Sequence, residues 1–96
     1  MQVHVAYHQV DHSLAFDQFV MEKLNNMKRF FKGNEDVDCV VAKDGKNYIF
    51  SLHYKGHGVD KFVRVKSNNV YKSAALGVEK LRNVIRELKS KKASHL

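Results

Sequence analysis

The chain has 96 residues, a hydrophobic content of 44% and a formal net charge of +7 at pH 7. This length suits one small domain, and no apolar run approaches the roughly 20 residues that a membrane-spanning helix needs. Cys39 is the only cysteine, so no disulfide can form within the chain, and a reducing cytoplasm is the expected compartment.

The positive charge is confined to the second half of the sequence. Residues 1–48 hold 6 Lys or Arg against 7 Asp or Glu, a net of −1, whereas residues 49–96 hold 11 against 3, a net of +8. This asymmetry predicts a face for nucleic acid or for an anionic membrane. Binding to nucleic acid would weaken steeply with salt, because phosphate contacts release counterions.

The first half predicts a strand, a helix and a second strand. Residues 2–8 alternate between polar and apolar side chains, as in a half-buried strand. From Leu14 to Phe31 the apolar residues recur at helical spacing, with Ser13 as N-cap and Gly33 as the C-terminal stop. The apolar, β-branched run Val37–Ala42 predicts the next strand.

Two further strands and a long helix are predicted in the second half. Tyr48–Lys55 and Val59–Lys66 alternate like strands, and turns are expected at Asp44-Gly45 and at Gly56–Gly58. A helix is predicted over Asn68–Lys92, with one of its first two residues as N-cap.

The predicted fold class is α+β, with the order β-α-β-β-β-α. Each helix has one apolar stripe, so both helices are expected on the same face of a four-stranded sheet. The stripe of the last helix consists of Ala74, Val78, Leu81, Ile85 and Leu88.

The rest of the last helix is basic and is the candidate RNA-binding surface. Its cations are Lys72, Lys80, Arg82, Arg86, Lys89, Lys91 and Lys92. Arg64 and Lys66 are expected to extend this surface from the last strand. Lys23 and Lys28 are further candidates, although a basic helix C-terminus also has an ordinary explanation in the helix dipole. Such cations would position RNA without reading its bases; a merely solvated face is the simpler alternative.

Other residue types do not indicate a catalytic or metal site. Some of the six histidines are four residues apart, but they lie on predicted strands and turns without a suitable companion ligand, so no metal is expected. No motif of a nucleotide, hydrolase or zinc-protease site occurs, and neither enzymatic activity nor a cofactor is expected. Phe62 is predicted to point outward; stacking on a base is one interpretation, and edge packing is the simpler one.

The order of elements and the last helix resemble the short form of the bacterial ribosome hibernation-promoting factor and ribosome-associated inhibitor family. The most specific match is Tyr71, Ala74, Val78, Glu79-Lys80-Leu81, Ile85, Lys89 and Lys91. These residues are similar to the family's Tyr-x-x-(apolar)-Asp-x-x-(apolar)-(Asp/Asn)-Lys-Leu-x-Arg-Gln-Leu and its Lys-rich ending. In the first helix, Lys23-Leu24, Met27 and Phe30-Phe31 are similar to the family's (Lys/Arg)-(apolar)-x-x-Leu followed by aromatics. Ala75, Asn83 and Val84 depart from the family's usual Asp, Arg and Gln.

The resemblance implies a fold like that of double-stranded-RNA-binding domains. It also implies binding to the RNA of the small ribosomal subunit, in the channel for messenger and transfer RNA at the decoding region. Such a protein would be cytoplasmic and would silence ribosomes in stationary phase or stress. Longer relatives have a C-terminal dimerisation domain that these 96 residues lack. A single ribosome-binding domain, monomeric off the ribosome, is therefore expected, and any pairing of ribosomes would need a second factor.

Two other functions fit a basic helix. A general structured-RNA-binding module of RNA processing or ribosome assembly would accept free duplex RNA, whereas a hibernation factor needs assembled small subunits. A protein-interaction or membrane-surface domain would bind anionic vesicles. The last function is disfavoured because the apolar stripe of the last helix is needed in the core and cannot also enter lipid. Neither a membrane nor DNA is an expected partner.

Overall fold

Four strands and two α-helices follow one another in the predicted order. A computed structural model describes the backbone of residues 1–94 and the side chains of residues 1–88. The elements are β1 (Gln2–His8), α1 (Leu14–Asn25), β2 (Asp36–Asp44), β3 (Asn47–Gly56), β4 (Val59–Ser67) and α2 (Val70–Ser94), with a short 3-10 helix at Lys28–Phe30. The predicted fold class and element order are confirmed.

The strands form one mixed sheet in the order β1-β2-β3-β4. β1 runs parallel to β2, and the two later pairs are antiparallel. Each antiparallel pair is joined by a two-residue turn, Gly45-Lys46 or His57-Gly58. Both residues of the second turn have positive φ, 52° and 77°, which is the backbone that matches the twist of a tight hairpin.

Both helices cover the same face of the sheet and share one core with it, as predicted. The core residues are Phe16, Val20 and Leu24 of α1, Met27 after it, Val37, Cys39, Val41, Phe50, Leu52, Tyr54 and Val63 of the sheet, and Ala74, Val78, Leu81 and Ile85 of α2. Burial raises the pKa of the Cys39 thiol to about 12, with a smaller contribution from the charge of Asp38. Cys39 is therefore the buried small hydrophobe that its sequence neighbours indicate.

The opposite face of the sheet is not covered by either helix; we call it the open face. In its three central cross-strand rows it consists of His4, Ala6, His8, Asp38, Val40, Ala42, Ile49, Ser51, His53, Phe62, Arg64 and Lys66. The mixture of small apolar, histidine and charged side chains on this face differs from the apolar core face. Neither α-helix, over its described residues, is long and apolar enough to cross a membrane.

The first helix is shorter than its apolar pattern predicts. Ser13 is the N-cap, and its Oγ accepts a hydrogen bond from the Phe16 N–H at 3.1 Å, but α1 ends at Asn25 rather than Phe31. Two consecutive asparagines, which are poor helix formers, stand at this end. The chain then tightens into the 3-10 helix, so Gly33, with φ of 110°, belongs to the loop before β2 and is not the helix cap.

A buried carboxylate, that of Glu35, organises this loop. Glu35 is 1% exposed, and its two oxygens accept hydrogen bonds from the N–H groups of Lys32 and Gly33 at 2.6 and 2.8 Å. His57 of the β3–β4 turn lies 3.3 Å from the same carboxylate. The backbone oxygen of Glu35 also accepts a hydrogen bond from the Gln2 N–H at 2.9 Å. Glu35 thus joins the loop, the first strand and a distant hairpin.

Gly77 lets α2 pack closely on the sheet. A Cβ at this position would lie 2.5 Å from Cδ2 of Phe50, which is fully buried. Gly77→Ala is therefore expected to destabilise the protein by about 1–3 kcal/mol through overpacking, although alanine is the better helix former. Urea unfolding measures the effect. The control Asn83→Ala, at an exposed site of the same helix, should be neutral or slightly stabilising; a stabilised Gly77→Ala protein would contradict the packing described here.

Candidate nucleic-acid interface

The burial of one stripe of α2 determines where its cations point. Ala74, Val78, Leu81 and Ile85 are buried in the core, and Leu88 is half-buried. The predicted stripe is therefore confirmed. Because this side of the helix is occupied by the core, the Lys and Arg residues must lie on its flanks and its outer surface.

The start of α2 is fixed by a side-chain cap. The Asn69 Oδ1 accepts a hydrogen bond from the Lys72 N–H at 3.1 Å, and the Asn69 carbonyl accepts from the Ser73 N–H at 3.0 Å. Asn69 is thus the N-cap, one of the two residues predicted for it. The cap places the exposed Lys72 in the first turn of the helix.

An aromatic cluster fixes α1 against α2. The ring centroid of Tyr71 lies 5.6 Å from that of Phe16 and 5.0 Å from that of Phe19, both in edge-to-face geometry. Lys23 on the next turn of α1 has its Nζ 5.4 Å from the Phe19 centroid. Tyr71 is therefore a packing residue, and its contacts hold Lys23 beside α2.

The two helices enclose a surface groove of about 280 Å³, which we call the helix groove. It is lined by Lys23, Asn26, Met27, Ala75, Glu79 and Arg82. The groove is lined by one cation of each helix, Lys23 and Arg82, which are 59 residues apart in the sequence. It also contains one carboxylate, that of Glu79, which opposes anion binding at that end.

Arg82 has an unused hydrogen-bond donor inside the protein surface. Its Nε is buried, and no acceptor lies within hydrogen-bond distance of it in the described part of the chain. A buried N–H without an acceptor is costly, and few native groups are left in this state. An oxygen of a bound anion would satisfy this donor, and guanidinium geometry suits phosphate oxygens.

The other cations of α2 divide into two sides. Arg86 follows Arg82 by about one turn and is exposed on the same flank, as is Lys72 near the start of the helix. Lys80, two residues before Arg82, points to the far side of the helix. Lys89, Lys91 and Lys92 were also predicted for this surface, but their side chains lie outside the described residues.

Lys28 does not join the helix groove. It was predicted near the C-terminus of the first helix, but α1 ends before it and Lys28 begins the 3-10 helix. Its side chain lines a different cleft, together with Asn25, Phe31 and Lys32. Lys28 therefore remains a separate candidate contact rather than part of one continuous surface.

The expectation that Arg64 and Lys66 extend the basic surface of α2 is wrong in its geometry. Both residues alternate with the buried Val63 and Val65 and point to the open face, on the opposite side of the sheet from α2. The Lys66 Nζ lies 3.3 Å from a carboxylate oxygen of Asp44. The alternation of β4 was predicted correctly. The error concerns the side of the sheet: the helices cover the core face, so residues that point outward from β4 cannot lie beside α2.

The sequence comparison decides the family. Residues 3–93 match the family described as Sigma 54 modulation protein / S30EA ribosomal protein. The chain belongs to this family. The match confirms the resemblance to ribosome hibernation factors and shows that this S30EA family member is a ribosome-associated protein.

Two solved structures share the fold of this S30EA family member. The N-terminal domain of Protein Y from Thermus thermophilus has a TM-score of 0.85 and 17% identity, over 92% of this chain and 99% of that one. A ribosomal subunit interface protein from Coxiella burnetii has a TM-score of 0.83 and 18% identity, over 94% of this chain and 99% of that one. No curated protein sequence matches the chain. At such low identity the likeness shows the fold alone.

The helix groove of this S30EA family member also has lining residues that the sequence pattern did not predict. Asn26 and Glu79 line the groove, but nothing in their sequence neighbours marks them as contact residues. The nearest signal was the position of Lys23, beside the apolar stripe of α1 on the side that turns toward α2. Residues 1–88 contain no group of three or more His, Cys, Asp or Glu side chains suited to a metal ion.

Proposed function

We propose that this S30EA family member binds RNA of the small ribosomal subunit near the decoding region and the transfer-RNA channel. The contact surface is the helix groove with the flanking cations Lys72 and Arg86. The protein blocks translation by occupying this site, without catalysis, when cells enter stationary phase or stress. It acts in the cytoplasm and is a monomer when it is not bound to the ribosome.

The observation that carries this proposal is that Lys23 and Arg82 line the same groove, and that the buried Nε of Arg82 has no acceptor in the described part of the chain. The aromatic cluster around Tyr71 holds the two helices, so a phosphate finds both cations already in place. Such contacts supply affinity and position but do not read bases. A structured RNA surface is recognised in this way by its shape and its phosphates.

The ribosomal site is supported by the family match over residues 3–93. The Coxiella burnetii protein of the same fold is described as a ribosomal subunit interface protein, which fits a binding site on the joining face of a subunit. The net charge of +8 on residues 49–96 supports a polyanionic partner over a neutral one.

Co-sedimentation with purified ribosomal particles tests the proposal. Small subunits, large subunits and intact ribosomes are mixed with the protein over a series of salt concentrations. We expect the protein to pellet with small subunits and intact ribosomes, near one to one, and to be released as salt rises. Failure to pellet at low salt would reject the proposal. Equal binding to large subunits or to free duplex RNA would instead favour a general RNA-binding module.

A further inference from the structure

The open face has an aromatic and cationic edge that the helix groove does not use. Phe62, Arg64 and Lys66 occupy successive outward positions of β4, each about 6.8 Å from the next along the strand. All three are exposed. They lie on the opposite side of the sheet from α2, so an RNA held in the helix groove leaves them free.

Phe62 presents a stacking surface. The residue is 62% exposed, the largest such fraction of any Phe or Tyr in the described part of the chain. The His53 ring lies 6.1 Å away in edge-to-face geometry, so it does not stack on Phe62. The His53 Nε2 is hydrogen-bonded to Asp60, which fixes the imidazole next to Phe62.

The charges near Phe62 favour an anionic partner. Two carboxylates at this edge have partners: Asp60 is hydrogen-bonded to His53, and Asp44 lies 3.3 Å from the Lys66 Nζ. Among residues 1–88, Arg64 forms no ion pair. The other acidic residues of β2 on this face, Asp36 and Asp38, are two strands away from β4, at about 10 Å. The edge therefore combines an exposed ring with cations whose charge is only partly compensated.

We propose that the β4 edge of the open face binds a single-stranded RNA segment. One base stacks on Phe62, and the adjoining phosphates contact Arg64 and Lys66. Base stacking on an exposed aromatic ring beside cations is how proteins hold single strands without reading their sequence. A protein partner fits less well, because the core of a protein interface is depleted of charge, whereas this ring is flanked by charged side chains.

This inference goes beyond the proposed function and does not depend on it. It gives the protein two RNA contacts on opposite sides of one sheet: duplex-like RNA by phosphates in the helix groove and a single strand on β4. A protein of this kind can bridge two RNA segments that face each other across a cleft.

A tryptophan reporter tests the inference, because the chain has no natural Trp. Phe62→Trp places a single fluorophore in the proposed stack, and Leu14→Trp places one on α1 at a similar exposure of 66%. Single-stranded oligouridylate and oligoadenylate of about eight nucleotides serve as probes. We expect saturable quenching of Phe62→Trp at low salt and little change for Leu14→Trp.

Substitutions then assign the binding. Phe62→Ala should weaken binding of the same oligonucleotides, followed with a label on the RNA, by about tenfold. Adding Lys72→Gln, Arg82→Gln and Arg86→Gln to Phe62→Trp should leave the quenching in place. Absence of quenching in Phe62→Trp, or equal quenching in Leu14→Trp, would overturn the inference. So would a Phe62→Trp emission that responds to intact small subunits but not to single-stranded RNA. In each of these cases pelleting with small subunits reports separately on the proposed function.

Discussion

Replacing Lys72, Arg82 and Arg86 together by Gln is expected to weaken binding to small ribosomal subunits on the order of 100-fold at about 0.1 M salt. These three cations lie on one flank of α2 and include the groove residue with the unpartnered Nε. Each lost phosphate contact removes the release of roughly one counterion. The slope of log affinity against log salt should therefore become shallower by about 2 to 3 units.

The matched control removes the same charge elsewhere. Lys43, Lys46 and Lys61 are exposed and lie away from the helix groove, so their replacement by Gln changes the net charge equally. Binding of both triple variants is measured by co-sedimentation, with circular dichroism to verify the fold. We expect the control to bind within a few-fold of the parent protein. Equal losses in the two variants would show that total charge, rather than this flank of α2, governs binding.

Replacing Glu35 by Ala is expected to destabilise the protein by about 3–5 kcal/mol, a large part of the stability of a domain of this size. The substitution removes the acceptor for the Lys32 and Gly33 N–H groups and the partner of His57. Glu35 is packed closely against the backbone of Gly56, since a Cβ at Gly56 would lie 2.8 Å from the Glu35 Cγ. Urea unfolding measures the loss.

The control for this prediction is Glu22→Ala. Glu22 is an exposed carboxylate on α1, so its removal should change stability by no more than about 0.5 kcal/mol. A Glu35→Ala protein as stable as Glu22→Ala would mean that water replaces the lost acceptor at no cost. The hydrogen bonds of Glu35 would then have no role in stability.

The same carboxylate gives the stability a defined dependence on pH. Burial alone would raise the pKa of Glu35, but hydrogen bonds from backbone N–H groups and the nearby His57 outweigh it and hold the pKa below the ordinary value of 4.5. Because the folded-state pKa is depressed, the contribution of Glu35 is complete above about pH 4.5 and is lost as the pH falls through the folded-state value. The difference in unfolding free energy between parent and Glu35→Ala should stay constant above that pH and shrink below it.

Periodicity predicted the sheet and the last helix well because their burial is regular. Tyr48–Lys55 was predicted as a strand from its alternation, and in β3 the alternate residues Phe50, Leu52 and Tyr54 are all buried on the core face. The stripe of α2 follows the same logic with helical spacing. The predicted C-terminal end of α1 was wrong. Apolar residues at helical spacing continue to Phe31, but the helix ends at Asn25, and the carboxylate of Glu35 accepts the N–H groups of Lys32 and Gly33 in the loop that follows.

The candidate site was harder to predict, because it depends on how elements pack. The sequence indicated the cations of α2, but it could not show that Lys23 and Arg82 line one groove, since this depends on the aromatic contacts that hold the two helices together. The prediction assigned Arg64 to the same basic surface as α2 because β4 and α2 are neighbours in the chain. The sheet lies between them, and strand alternation alone does not say which side the helix covers.

The parallel pairing of β1 with β2 makes the first strand dependent on residues far along the chain. Gln2 lies opposite Asp36, whereas β2, β3 and β4 are joined by two-residue turns. Closing a short turn costs less entropy than closing a loop that contains a whole helix. We expect the three-stranded meander to form first and β1 to dock afterwards, which pulsed hydrogen exchange during refolding would resolve. During synthesis, β1 leaves the ribosome before β2 and must therefore remain unpaired until β2 has followed it.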